Sequence, residues 1–171
     1  MKLEIVIYPD RRLKKKSEKV TSFDSRFHQF LDDMNETMIS SNGIGLAAIQ
    51  VAKPIRALII NLPDDEGEQF DENLIEIVNP EIISSEGSIF YQEGCLSIPG
   101  FYEDIERFEK ITLKYQDRYG ELKTMETEGL LSIAIQHEMD HLEGKLFIEK
   151  LSYSRRKKFE KEYKKKIKSK K

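Results

Sequence analysis

At 171 residues, 39% of them apolar and 35% charged, the chain is long enough for one domain with a sizeable core, and its composition is normal for a soluble globular protein with a well-charged surface. No apolar run approaches the roughly 18–20 residues of a membrane helix, and the first residues, Met1 to Tyr8, are too short and too acidic for a signal peptide. The net charge is only −3, and a single cysteine, Cys95, excludes an intrachain disulfide, so the expected compartment is the cytoplasm.

Tyr8-Pro9-Asp10 reads as a turn after a short extended piece. The first helix is expected over about Asp24 to Ser40, where Phe27, Phe30, Leu31, Met34 and Met38 make one apolar face. Ser22 or Asp24 can cap it, and Asn42-Gly43 should stop it. A strand-rich middle follows, with short β-branched runs at Arg56–Asn61, Leu74–Val78 and Ile82–Ser85. The acidic, glycine-containing stretch Pro63–Asn73 reads as a mobile loop. Ile111–Tyr115 alternates in polarity, and Asp117-Arg118-Tyr119-Gly120 should turn it back into Glu121–Glu126 as a hairpin. A helix from about Thr127 to Leu142, closed by Gly144, comes next. The last helix starts near Ser154 and carries Phe159, Tyr163 and Ile167 as a thin apolar stripe. Its segment, Tyr153 to Lys171, holds eleven Lys or Arg against two Glu, a balance of +9 that leaves −12 on the remainder. Such an end suits a polyanion such as nucleic acid, or is simply a solvated terminal helix. The expected architecture is α+β, with antiparallel strands packed around a central helix and a further helix at the carboxy terminus. Residues 1–151 would form the catalytic unit and 152–171 a basic helix or tail of the same domain.

His137-Glu138-Met139-Asp140-His141 carries the most specific chemical signal. Histidines four apart on a helix share a face and can reach one metal ion, while the intervening glutamate can act as general base toward an activated water. Leu130, Ile133, Ala134, His137 and His141 follow one stripe, so the histidines continue the inward face. Two bare inward histidines would be costly, and a metal removes that cost.

A catalytic metal wants three protein ligands and an open position. Cys95, in the glycine-flanked run Gln92–Gly100, is the stronger third candidate, although a lone cytosolic cysteine is often just a small buried hydrophobe. His28 sits between Phe27 and Phe30 and reads as a core-edge histidine. Glu160 and Glu162 lie about 20 residues after His141, where one class of HExxH peptidase supplies its third ligand, but their lysine and arginine neighbours suggest surface pairing. The segment Gly43-Ile44-Gly45-Leu46-Ala47-Ala48-Ile49-Gln50 lacks the third glycine and preceding strand of a dinucleotide loop. Its glycines allow close backbone approach, and Gln50 offers a neutral amide donor suited to a developing oxyanion. A tight helix-to-strand turn would explain the segment equally well.

Together, GIGLAAIQ at Gly43–Gln50, EGCLS at Glu93–Ser97 and HEMDH at His137–His141 resemble the peptide deformylase family, in its order and at its separations. The likeness runs from Tyr8-Pro9-Asp10 to about Phe147. It implies a metal held by Cys95, His137 and His141, with Fe(II) preferred and zinc or nickel often found instead. It also implies a substrate carrying N-formylmethionine, with Glu138 as base and Gln50 and the Leu96 N–H as oxyanion donors. Ile44, Gly45 and Gly94 match positions whose backbone lines an extended peptide, while Ile44, Ile98, Leu130 and Ile133 match the methionine pocket. A thiolate ligand implies oxygen sensitivity. Many relatives have an acid at the position of Asn42, paired with an arginine at that of Arg107; here that pair becomes at best an Asn–Arg hydrogen bond, which bears on local rigidity and not on the chemistry. In relatives the last helix helps dock the enzyme on the ribosome. The rivals are a HExxH peptidase using Glu160 or Glu162, and a non-catalytic RNA- or ribosome-binding relative. A monomer is expected, with ribosome binding lost on deleting the residues after Leu151.

Overall fold

The computed structural model describes residues 1–169; Lys170 and Lys171, part of the basic end, lie outside the described residues. Three helices, α1 (Ser25–Ser40), α2 (Gly129–Leu142) and α3 (Tyr153–Ser169), accompany seven strands. The strands are β1 (Gly45–Ala47), β2 (Ala57–Ile60), β3 (Ile75–Glu86), β4 (Ile89–Cys95), β5 (Ile98–Arg107), β6 (Lys110–Gln116) and β7 (Leu122–Glu128). A five-stranded antiparallel sheet runs β1-β2-β3-β6-β7, and β4 pairs with β5 in a separate hairpin. The expected α+β class is therefore the observed one. No helix of the described residues is long and apolar enough to cross a membrane.

The sheet is covered on both faces, which explains why β2 is uniformly apolar rather than alternating. Successive side chains of a strand point to opposite faces. Leu58 and Ile60 join Ile77, Leu113, Ile135 and Leu142 beneath α2, while Ala57 and Ile59 join Leu31, Met34, Met38 and Val78 beneath α1. A third cluster packs Val6, Leu13, Ile98, Phe147 and Ile148 against Phe159 and Tyr163 of α3.

Asp24 caps α1, its carboxylate accepting from the Phe27 N–H at 3.0 Å. At the other end Asn42, not Gly43, takes the left-handed conformation (φ 59°), and the Gly43 N–H closes the last turn on the Met38 carbonyl. The two runs expected at 74–78 and 82–85 form one strand, β3, whose register shifts twice, between Val78 and Glu81 and again between Ile82 and Ser84. Pro80 cannot donate to a ladder, and Asn79 beside it (φ 50°) turns its side chain to Val20 and Gln116. The Pro63–Asn73 stretch is tied down by Gln69, which donates to the carbonyls of Gly43 and Asn61, and it ends in a single 3₁₀ turn, Asp71–Asn73. The β4–β5 hairpin was not expected. Its glycines, Pro99 and acidic residues mask the strand signal.

α2 starts two residues later than the spacing suggests, because Thr127 and Glu128 complete β7 against β6. Gly144 ends that segment at φ 73°, and a Cβ there would lie 2.3 Å from the Lys14 carbonyl oxygen. Gly144→Ala is therefore expected to destabilise the fold by more than about 1 kcal/mol, seen as a lower urea midpoint with unchanged m-value.

Candidate active site

α2 lies between the sheet and the β4–β5 hairpin and delivers both histidines to the end of β4. The Cys95 Sγ, one His137 nitrogen and one His141 nitrogen lie within 4.8 Å of one another, the only such metal-competent group among the described residues. Sγ stands 3.5 Å from His141 Nε2. Glu138 Oε1 sits 3.9 Å from the Nε2 atoms of both histidines. His28 is remote from this group, with Nε2 on the Arg118 carbonyl at 2.8 Å. Glu160 lies on α3 near Arg156 and Lys157, and neither it nor Glu162 joins the cluster.

The donors suit a cation on physical grounds. One thiol and two imidazoles form a donor set appropriate to zinc or Fe(II). His137 Nδ1 is engaged by Glu93 Oε1 at 2.8 Å, which leaves Nε2 to face the centre. Glu138 Oε2 is buried without a hydrogen-bond partner, a polar atom waiting for water or substrate. Burial lowers the affinity of His137 for a proton, yet Glu138, Cys95 and Glu93 together raise its pKa well above the ordinary value. The cavity thus favours positive charge at this point. Burial, helped by His137 and Arg107, pushes His141 well down, which keeps it neutral and ready to ligate. Burial also raises Glu138 to about 7, against the opposing pull of His137 and Arg107.

An ion network missed in the sequence stands behind the cluster. Arg107 donates from Nε and one terminal nitrogen to both oxygens of Glu93 at 2.8 Å, and from the other to Asp140 at 2.6 Å. Burial opposes ionisation of Glu93, but Arg107 and His137 hold its carboxyl down at about 2. The Asn42–Arg107 hydrogen bond expected above is not made: both acids that hold Arg107 come from the cysteine and histidine motifs themselves. The spacing of Glu93, two before the cysteine, was the available signal, since a ligating histidine usually has a carboxylate or carbonyl on its other nitrogen.

A cleft of about 560 Å³ opens over the cluster. Gln50, Cys95, Leu96, His137 and Glu138 line its floor; Ile44, Gly45, Gly94, Ile98, Leu130 and Ile133 line its walls. His141 lies beneath, 1% exposed. Gln50 Oε1 accepts from the Ala47 N–H at 2.9 Å, and this orients Nε2 toward Ser97 Oγ (3.1 Å) and Cys95 Sγ (3.5 Å). Gly45 lies close against the base: a Cβ there would stand 3.2 Å from Glu138 Cγ, so the carboxylate side chain would have to shift slightly to admit one. Besides the expected residues, Ile5, Ile7, Tyr91, Phe101 and Tyr102 contribute to the cleft.

A HExxH helix and a cysteine strand converging on one cation-favouring point beneath an open cleft define a metallohydrolase. Residues 2–157 match the family described as polypeptide deformylase. The chain is 61% identical over 163 residues to the peptide deformylase of Wolinella succinogenes, covering 95% of this chain and 96% of that protein. It is 60% identical over 162 residues to that of Helicobacter pylori strain J99, covering 95% and 93%. A crystal structure of a peptide deformylase from Legionella pneumophila superposes with a TM-score of 0.90 at 39% identity, over 99% of this chain and 98% of that one. The chain belongs to the peptide deformylase family. It is an enzyme of that type, removing the N-formyl group from the methionine that begins nascent polypeptides, and the family is metal-dependent.

Proposed function

We propose that Cys95, His137 and His141 hold one divalent metal ion, Fe(II) by preference with Zn(II) or Ni(II) able to replace it, and that Glu138 is the general base. The observation that carries this reading is the convergence of the three donor atoms within 4.8 Å, with the Glu138 carboxylate against both histidines. The ion supplies Lewis acidity toward water and the formyl carbonyl. Glu138 takes a proton from the attacking water, which adds to the formyl carbon. Gln50 Nε2 and the Leu96 N–H stabilise the oxyanion that develops. Glu138 then delivers its proton to the departing amine as the C–N bond breaks, giving formate and a free amino terminus. Ile44, Gly45 and Gly94 bind the peptide backbone as an added strand, and Ile44, Ile98, Leu130 and Ile133 receive the methionine side chain. The burial of Ile98 and Ile133 in the cleft wall supports that pocket.

The test is metal content. Cys95→Ala is expected to lose the ion and formate release together, while Glu160→Ala keeps both. The reverse pattern, measured by elemental analysis of anaerobically purified protein, would support the peptidase reading instead.

The reading extends to place and partners: a cytoplasmic monomer forming one domain over residues 1–171, whose basic last helix meets the ribosome. Deleting everything after Leu151 is not a clean test, since Phe159 and Tyr163 are 3% and 5% exposed in the core. Lys158, Lys161, Lys164 and Lys165 are exposed and suit the purpose better. Changing these four to Gln should abolish salt-sensitive ribosome binding in a sedimentation assay, without slowing deformylation of a free tripeptide. Binding that persists with its salt dependence intact would refute the assignment.

A further inference from the structure

The wall of the cleft between Ile98 and Tyr102 is not held by its own hairpin. Gly94 pairs with Tyr102 and Cys95 with Ile98, so Pro99, Gly100 and Phe101 bulge out of the β4–β5 ladder with no cross-strand partner. Pro99 has no N–H to give, and Gly100 adopts φ 81°, so this segment has little to define it locally. All three residues line the cleft.

Their anchor is α3. The Phe101 ring packs edge-on against Phe159 at 5.0 Å and tilted against Tyr163 at 5.4 Å. Lys166 Nζ donates to the Pro99 carbonyl at 2.7 Å and sits 5.2 Å from the Phe101 ring centroid. It lies so close over Gly100 that a Cβ there would be 2.2 Å from it. One ammonium thus holds Pro99 by a charge-assisted hydrogen bond and Phe101 by a cation–π contact, and lies over the Gly100 between them. A bulge beside an active site is the usual way a strand is re-aimed there, and this one is held from outside its sheet.

We propose that Lys166 is a positioning residue for the peptide substrate: it fixes the bulged Pro99–Phe101 wall of the cleft from the carboxy-terminal helix. The proposal rests on the reading of this cleft as the peptide site. Lys166 touches neither the metal ligands nor Glu138, so its influence falls on binding rather than on chemistry.

The experiment compares full-length, Fe(II)-loaded wild type with Lys166→Met, Lys166→Arg and Lys164→Met, following formate release from a formyl-Met tripeptide. Lys166→Met is expected to raise KM about threefold to tenfold, with kcat changed less than about twofold, the signature of lost binding worth one charge-assisted hydrogen bond. Amide exchange at Gly100 and Phe101, read without reference to activity, should quicken in the same variant. Lys166→Arg should restore KM, and Lys164→Met, which removes the same charge one turn-face away, should leave it at the wild-type value. An unchanged KM in Lys166→Met, an equal rise in Lys164→Met, or a fall in kcat that tracks a lowered melting temperature would each overturn the proposal while leaving the deformylase reading intact. A wild type that binds metal but releases no formate would overturn that reading, and the proposal with it.

Discussion

Glu138→Gln should cut formate release by about 10²–10⁴-fold while the protein still binds one metal ion, the range expected when a positioned general base is lost. Glutamine preserves the volume of a residue that is only 3% exposed, so packing on α2 survives. It cannot take the proton from the attacking water or return it to the amine. Because one carboxylate serves both transfers, the loss should fall on kcat, with KM little changed. Wild-type kcat in this variant would remove Glu138 from the mechanism.

Arg107→Met is the second large effect, and it acts through the Glu93–Arg107–Asp140 network. The Arg107 and Glu93 side chains are 2% and 4% exposed. Removing the guanidinium leaves the buried Glu93 carboxylate without its bidentate cation, with only the His137 imidazole still against it. Breaking such a pair from one side costs about 3–5 kcal/mol. The damage should also reach the metal, since Glu93 orients His137 through Nδ1, and loss of such a partner typically weakens affinity by about 10–100-fold. Urea unfolding and a competitive chelator titration measure the two consequences separately. Adding Glu93→Gln to Arg107→Met should recover part of the lost stability, because the stranded charge is gone. Purely additive losses in the double variant would show that the two residues are not coupled as described.

The chemistry was more legible in the sequence than the architecture around it. His137, Glu138 and His141 follow from helical periodicity alone, because the stripe from Leu130 fixes which way they face. The α1 cap at Asp24 and the β6–β7 hairpin were visible for similarly local reasons. Cys95 was legible only as the stronger third candidate, from its glycine-flanked run and the family resemblance; its approach to the histidines belongs to the tertiary fold, since nothing near it in the chain says that β4 ends at α2. The β4–β5 hairpin escaped because Gly94, Pro99 and Gly100, the residues that shape the cleft, are the ones that depress a strand signal. The network on Arg107 escaped for a different reason. Its three members lie 14 and 33 residues apart; the β4–β5 hairpin joins Glu93 to Arg107, and α2 packed against that hairpin adds Asp140.

Formate release from a formyl-Met tripeptide is the most direct test of the central claim, using protein purified without oxygen and loaded with Fe(II). The account predicts one ion per chain, formate and free amine in equal amounts, and no cleavage of the same peptide without its formyl group. A chain carrying its ion that leaves the formyl peptide intact, or that cuts the unformylated peptide instead, would contradict it.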